Sequence, residues 1–109
     1  MAYDDGLAAM MRDDLADHPG ITEKKMFGGL CFLMHGNMVC GVHSGGAMFR
    51  VGKPREAEAM AIQGAGPMTF TGRKMGGMID VSDEALSDDA RREQWVAMSI
   101  AHAASLPPK

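Results

Sequence analysis

The chain has 109 residues, 46% of them apolar and 23% charged, with a formal net charge of −3; this fits one compact domain over residues 1–109 and disfavours a surface built throughout to neutralise phosphates. The opening MAYDDGL lacks a cationic segment followed by an apolar stretch, and nowhere do 18 apolar residues run together, so neither a signal peptide nor a membrane span is expected and the expected compartment is the cytoplasm. Two cysteines in such a chain are expected to stay reduced, and twelve methionines against six aromatic residues predict a soft core, because Met fills irregular gaps.

Charge is unevenly spread. Residues 1–20 hold five Asp against one Arg, residues 21–75 hold seven Lys or Arg against three Glu, and residues 76–109 sum to −3. A local basic face is therefore compatible with the acidic total.

Residues 4–18 place Leu7, Met11, Leu15 and His18 on one stripe at helical spacing, predicting an amphipathic first helix with an acidic first turn that Pro19-Gly20 ends. From Ile21 to Val51, the runs ITEKKMF, LCFLMH, MVCGVH and AMFRV are separated by Gly28-Gly29, Gly36-Asn37 and Ser44-Gly45-Gly46. They predict four strands in a meander. A two-residue turn at Gly36-Asn37 pairs His35 with Met38, Leu33 with Cys40 and Cys31 with Val42. Those six side chains then share one face, and Phe32, Met34, Val39 and His43 share the other.

Pro54 suits the first turn of a short helix over 54–63, with Ala57, Met60 and Ala61 inward. Met68-Thr69-Phe70 and Met78-Ile79-Asp80-Val81 read as two more strands flanking the turn GRKMGG. Ser87 is expected to cap a final helix running to about Ser105, with Leu86 as a staple and Trp95, Val96, Ser99, Ile100 and Ala103 buried. The order α-β4-α-β2-α predicts a two-layer α+β domain, with a mainly antiparallel sheet and helices on one face.

Few residues suggest chemistry. Cys31 and Cys40 sit on adjacent expected strands near His35 and His43, but neither belongs to a CxxC pair, and a zinc site needs about four ligands. They are expected to be structural thiols, and no catalytic, cofactor-binding or metal-ligating residue is expected. Gly28-Gly29 separates strands and Gly76-Gly77 enters one, whereas a phosphate-cradling loop leads from a strand into a helix N-terminus. Of the basic residues Lys24, Lys25, Arg50, Lys53, Arg55, Arg73 and Lys74, five are candidates for an interaction surface: Lys24, Lys25, Arg50, Arg73 and Lys74. No aromatic residues are interleaved with them as a stacking platform requires.

The segments MAYDDGLAAMMRDDL, ITEKKMFGGLCFLMHGNMVCGV, AMFRVG, FTGRKMGGMIDV and WVAMSIAHAASLPPK together resemble the N-terminal domain of the TfoX/Sxy family of competence regulators. The most specific element is Lys25-Met26-Phe27-Gly28-Gly29 leading into a hydrophobic hairpin. Met75-Gly76-Gly77-Met78 stands where the family tends to have a bulkier, β-rich stretch. The resemblance implies a secretion-chaperone-like two-layer fold and no catalytic residues. It further implies a bacterial regulator that promotes transcription of DNA-uptake genes alongside another transcription factor, in proteins that add a C-terminal helical domain. Lys25, Phe27, Gly28, Gly29, Arg50 and Gly72 match the family pattern, with the glycines read as turns, Phe27 as core, and Lys25 and Arg50 as surface contacts.

The expectation is thus a non-enzymatic regulatory module that binds another protein, or a second copy of itself, through an exposed strand edge or its hairpin face. A second expectation is weak nucleic-acid contact through Lys24, Lys25, Arg73 and Lys74, and a third is a thiol or metal site at Cys31 and Cys40 with His35 and His43.

Overall fold

The structure is a computed structural model that describes residues 3–26, 28–70 and 72–108, with the backbone alone described at residues 26, 69, 70 and 73–75. Phe27, expected in the core, lies outside the described residues.

Helix α1 spans Asp5–Leu15. It starts there because the Asp4 carboxylate accepts from the backbone N–H of Gly6 at 2.7 Å and of Leu7 at 3.2 Å, satisfying donors that a helix N-terminus leaves unpaired. Leu7, Ala8, Met11 and Leu15 form its buried face; His18 lies just past its end.

Four strands follow: β1 (Ile21–Met26), β2 (Gly29–Met34), β3 (Asn37–His43) and β4 (Gly46–Arg50). A 3-10 turn at Lys53–Arg55 leads into the short helix α2 (Glu56–Met60), then β5 (Ala65–Phe70), β6 (Arg73–Ser82), the one-turn helix α3 (Asp83–Leu86) and the long helix α4 (Asp89–Ala104). The strands form one six-stranded sheet in the order β1-β2-β3-β4-β6-β5, with every neighbouring pair antiparallel. The fold is α+β, as the element order implies.

Buried residues of all four helices join Leu30, Phe32, Met34, Val39, Cys40, Val42, Phe49 and Ile79 in one core. A second, smaller cluster of Cys31, Met48 and Met78, with Met38 and Met68 packed on it, is built from strand residues alone. The helices therefore gather on one face of the sheet, which leaves Cys31, Met48 and Met78 on the other. At the centre of the helix-side core, Trp95 stacks on Phe49 with ring centroids 5.9 Å apart. Its indole N–H donates to the carbonyl of Ala59 at 3.2 Å, anchoring α2 to α4.

Several expectations need correction. The β2–β3 turn is centred on His35-Gly36, not Gly36-Asn37: both central residues have positive φ, 50° and 86°, as a type I′ hairpin demands. Asn37 is instead the first residue of β3, 2% exposed, with its side-chain amide donating to the Pro107 carbonyl at 2.8 Å. A bulge then makes Phe32 face Cys40 and Cys31 face Gly41. The one-residue slip turns the faces over: Cys40 belongs to the helix-side core and Cys31 to the opposite cluster.

In the short helix, which begins at Glu56 and not at Pro54, Ala59 is fully buried while Ala57 and Ala61 are exposed. The GRKMGG segment is mostly strand rather than turn, held where the N–H groups of Val51 and Gly52 donate to the Gly77 carbonyl, both at 3.0 Å. Asp88, not Ser87, caps α4, accepting from the Arg91 N–H at 3.2 Å. Ser87 closes α3, its hydroxyl donating to the Glu84 carbonyl at 2.7 Å.

Candidate functional site

The sheet has two edges, and their residues make them unequal. On β1, alternation places Ile21, Glu23 and Lys25 toward the helices and Thr22 and Lys24 on the opposite face, as their partners Met34, Phe32, Leu30, Leu33 and Cys31 dictate. Residues 22–25 are all exposed, and β1 is hydrogen-bonded on one side only, to β2. The other edge, β5, contains Pro67, which has no N–H to offer an incoming strand. β1 is thus the better template for strand addition.

A bidentate ion pair fixes this edge to the helix layer: the Arg12 guanidinium donates to the Glu23 carboxylate at 2.6 and 2.8 Å. The pairing holds Glu23 below the usual carboxylate range. Lys24 and Lys25 have no ion-pair partner among the described residues.

Of the five basic candidates, Lys24 and Arg50 share the sheet face opposite the helices, and Arg50 lies beside Met78. Three strand steps across the sheet and two residues along it separate them, about 16 Å at the usual strand geometry. Lys25 points toward the helix side of the same edge. Arg73 and Lys74 begin β6, paired with Phe70 and Thr69; their side chains lie outside the described residues.

The expected thiol site is not assembled. Cys31 and Cys40 are on opposite faces of the sheet, both buried and free, and burial pushes both thiols up, away from reactive thiolate. His35 sits in the exposed turn. His43 faces the same side as Cys31 but is engaged: its Nε2 lies 2.6 Å from Asp80 Oδ1, and its Nδ1 accepts the Gly45 N–H at 3.1 Å. This contact reaches over β4 from β3 to β6, and the carboxylate raises the His43 pKa. Among the described residues, no group of three or more His, Cys, Asp or Glu side chains is placed to hold a metal ion.

The sulfur-bearing face is packed around Gly41. A Cβ there would meet the Met48 methyl at 2.9 Å, the Leu30 carbonyl oxygen at 3.0 Å and the Cys31 sulfur at 3.2 Å, so the missing side chain is what lets Met48 and Cys31 close over the sheet.

One structural residue escaped the sequence reading. Arg92 is 7% exposed; it donates to Asp14 at 2.6 Å and to the Leu86 carbonyl at 2.9 Å, and it pairs with Asp89 at 2.9 Å. It ties α1, α3 and α4 together. The signal was its position three residues before Trp95, on the stripe that continues to Ser99 and Ala103.

Among the described residues no helix is long and apolar enough to cross a membrane. Comparisons with curated proteins and with solved structures each gave no match. The family model of the TfoX N-terminal domain matches residues 13–103, the stretch from the last residues of α1 through nearly all of α4. The chain belongs to the TfoX N-terminal domain family.

Proposed function

We propose that this protein is a small, non-enzymatic regulatory module of the bacterial cytoplasm that works by binding another protein through the edge strand β1. The observation that supports this reading is the asymmetry of the sheet edges: β1 is exposed along residues 22–25 and lacks a second neighbour, whereas β5 carries Pro67. Main-chain groups on such an edge supply affinity to an incoming strand, and the side chains on either side supply selectivity. Lys24 and Lys25 bias that choice toward an acidic strand. They also discourage uncontrolled self-pairing, since lysine on an edge is a common guard against aggregation. A second copy of the chain remains one form the partner takes.

The same geometry supports the non-enzymatic part of this reading. The two thiols are buried on opposite faces, and His43 has both ring nitrogens occupied.

The test is affinity capture from bacterial lysate with nuclease present, followed by backbone hydrogen exchange on the purified complex. Protection gained in residues 21–26, and lost capture with Lys24→Glu/Lys25→Glu, are the expected results. Capture that disappears with nuclease, or protection that leaves β1 unchanged, overturns the reading.

A further inference from the structure

The helix layer is far more acidic than the sheet. Residues 4–17 and 83–104 contain ten carboxylates against three arginines, and the strands contain two carboxylates against five cations. Arg92 already draws on Asp14 and Asp89, and Arg12 on Glu23 of the sheet edge. Arg91 pairs with Asp88, and Asp13, Asp17 and Glu93 are among the carboxylates that have no ion-pair partner among the described residues.

These three carboxylates line one groove between α1 and α4, with a volume of about 510 Å³. Its floor comes from α4: Val96, Ala97, Ile100 and Ala101. Together with Glu93 they follow the i, i+3, i+4, i+7, i+8 spacing of one helical stripe. Val96 is buried, Ile100 is half-buried, and Ala97 and Ala101 are exposed. Exposed alanines one turn apart let another backbone approach closely, within the 8–10 Å usual between packed helices. The walls are held in place from below, because the buried Arg92 fixes Asp14 at 2.6 Å and so sets the spacing of α1 and α4.

We propose that the α1/α4 groove docks a cationic amphipathic helix of a partner protein. An apolar stripe of that helix seats on Val96, Ala97 and Ile100, and Lys or Arg on its flanks meets Asp13, Asp17 and Glu93. The assignment to a cationic partner rests on charge complementarity, since an acidic helix would face three carboxylates of like charge. Rim charges of this kind act chiefly on encounter rate and on salt dependence, while the apolar stripe supplies residence time. The groove lies in the helix layer and no β1 residue lines it, so the inference does not depend on the strand-addition reading.

The probe is a synthetic 16-residue peptide with leucines at i, i+3, i+4 and i+7 and lysines on both flanks, titrated against the labelled full chain by amide NMR and fluorescence anisotropy. Shift changes centred on residues 13–18 and 93–101 are expected. So is at least a tenfold loss of affinity in Asp13→Asn/Asp17→Asn/Glu93→Gln, whose substituted side chains are all exposed. Ala97→Trp, which fills the groove without changing charge, is expected to abolish binding; its thermal unfolding profile establishes that the variant is folded. Equal binding of a scrambled peptide of the same composition overturns the proposal, as do unchanged binding to folded Ala97→Trp and shifts centred on β1 or on the Met48 face.

Discussion

The two faces of the sheet are packed by different means, and adjacent residues of β4 show it. Phe49 points to the helices and stacks on Trp95, within a core where branched and aromatic side chains from every layer surround Met11, Met34 and Met98. Met48 points the other way into a cluster whose buried members, Cys31, Met48 and Met78, all bear sulfur. The first face is specified mainly by shape: rigid rings and branched chains interlock where α4 lies over β2, β3 and β4. The second is specified by flexibility, since unbranched thioethers cover a sheet surface that no helix protects. A face of that kind tolerates substitution, and a face of the first kind does not.

Truncating the same strand at neighbouring positions breaks the comparison most directly. Phe49→Ala is expected to cost about 3–5 kcal/mol, because the helices above it cannot collapse into the void. Urea unfolding gives the value, and a loss under about 2 kcal/mol would show the helix-side core to be as compliant as its counterpart.

Arg92→Ala is expected to be next, at about 2–3 kcal/mol. It strands Asp14 and the Leu86 carbonyl, although Asp14 retains enough contact with water to keep the loss below that of a fully buried pair. A double-mutant cycle with Asp14→Asn isolates the pairwise part; independent, additive losses would mean that α1 and α4 are held by apolar contact alone.

For Met48→Ala the expected loss is about 2 kcal/mol, the low end of the range for such truncations, since Met38, Met68 and Met78 are able to refill the space. Met48→Leu should fall below about 1.5 kcal/mol. Thermal unfolding of the two variants beside Phe49→Ala gives the ratio that the comparison turns on.

The smallest effect is a pH dependence confined to the sulfur-bearing face. Asp80 raises the pKa of His43 in the folded chain. The pair therefore contributes fully below the unfolded-state histidine value of about 6.5, and its contribution is lost as pH rises through the raised folded value. The midpoint of urea unfolding should drop across that window in the parent protein. In His43→Gln the drop should be smaller; an unaltered slope would assign the titration to another group.

Much of the fold was legible in local sequence. An acidic first turn and an apolar stripe at Leu7, Met11 and Leu15 mark α1, and Trp95, Val96, Ser99 and Ala103 mark the buried side of α4. Glycine punctuation marks four strands, because these signals rest on side-chain spacing and turn chemistry within a few residues. The resemblance carried by Lys25-Met26-Phe27-Gly28-Gly29 and its neighbours placed the chain in its family. The β1 edge was legible as a charged run at Glu23, Lys24 and Lys25, though not as an edge.

Tertiary structure decided the rest. His35 takes the left-handed position of the β2–β3 turn while Asn37 is drawn away to the Pro107 carbonyl, a contact between residues 70 apart that no local pattern announces. The bulge at Val39 then sets Cys40 and Cys31 on opposite faces, since strand periodicity is two and a single-residue shift exchanges inside for outside. Likewise Asp14 is an ordinary surface residue in sequence; the packing of α4 on α1 makes it half of a partly buried pair with Arg92 and opens the groove beside them. Periodicity fixed which side chains are apolar and at what spacing, and long-range contacts decided which of two equivalent faces each one joins.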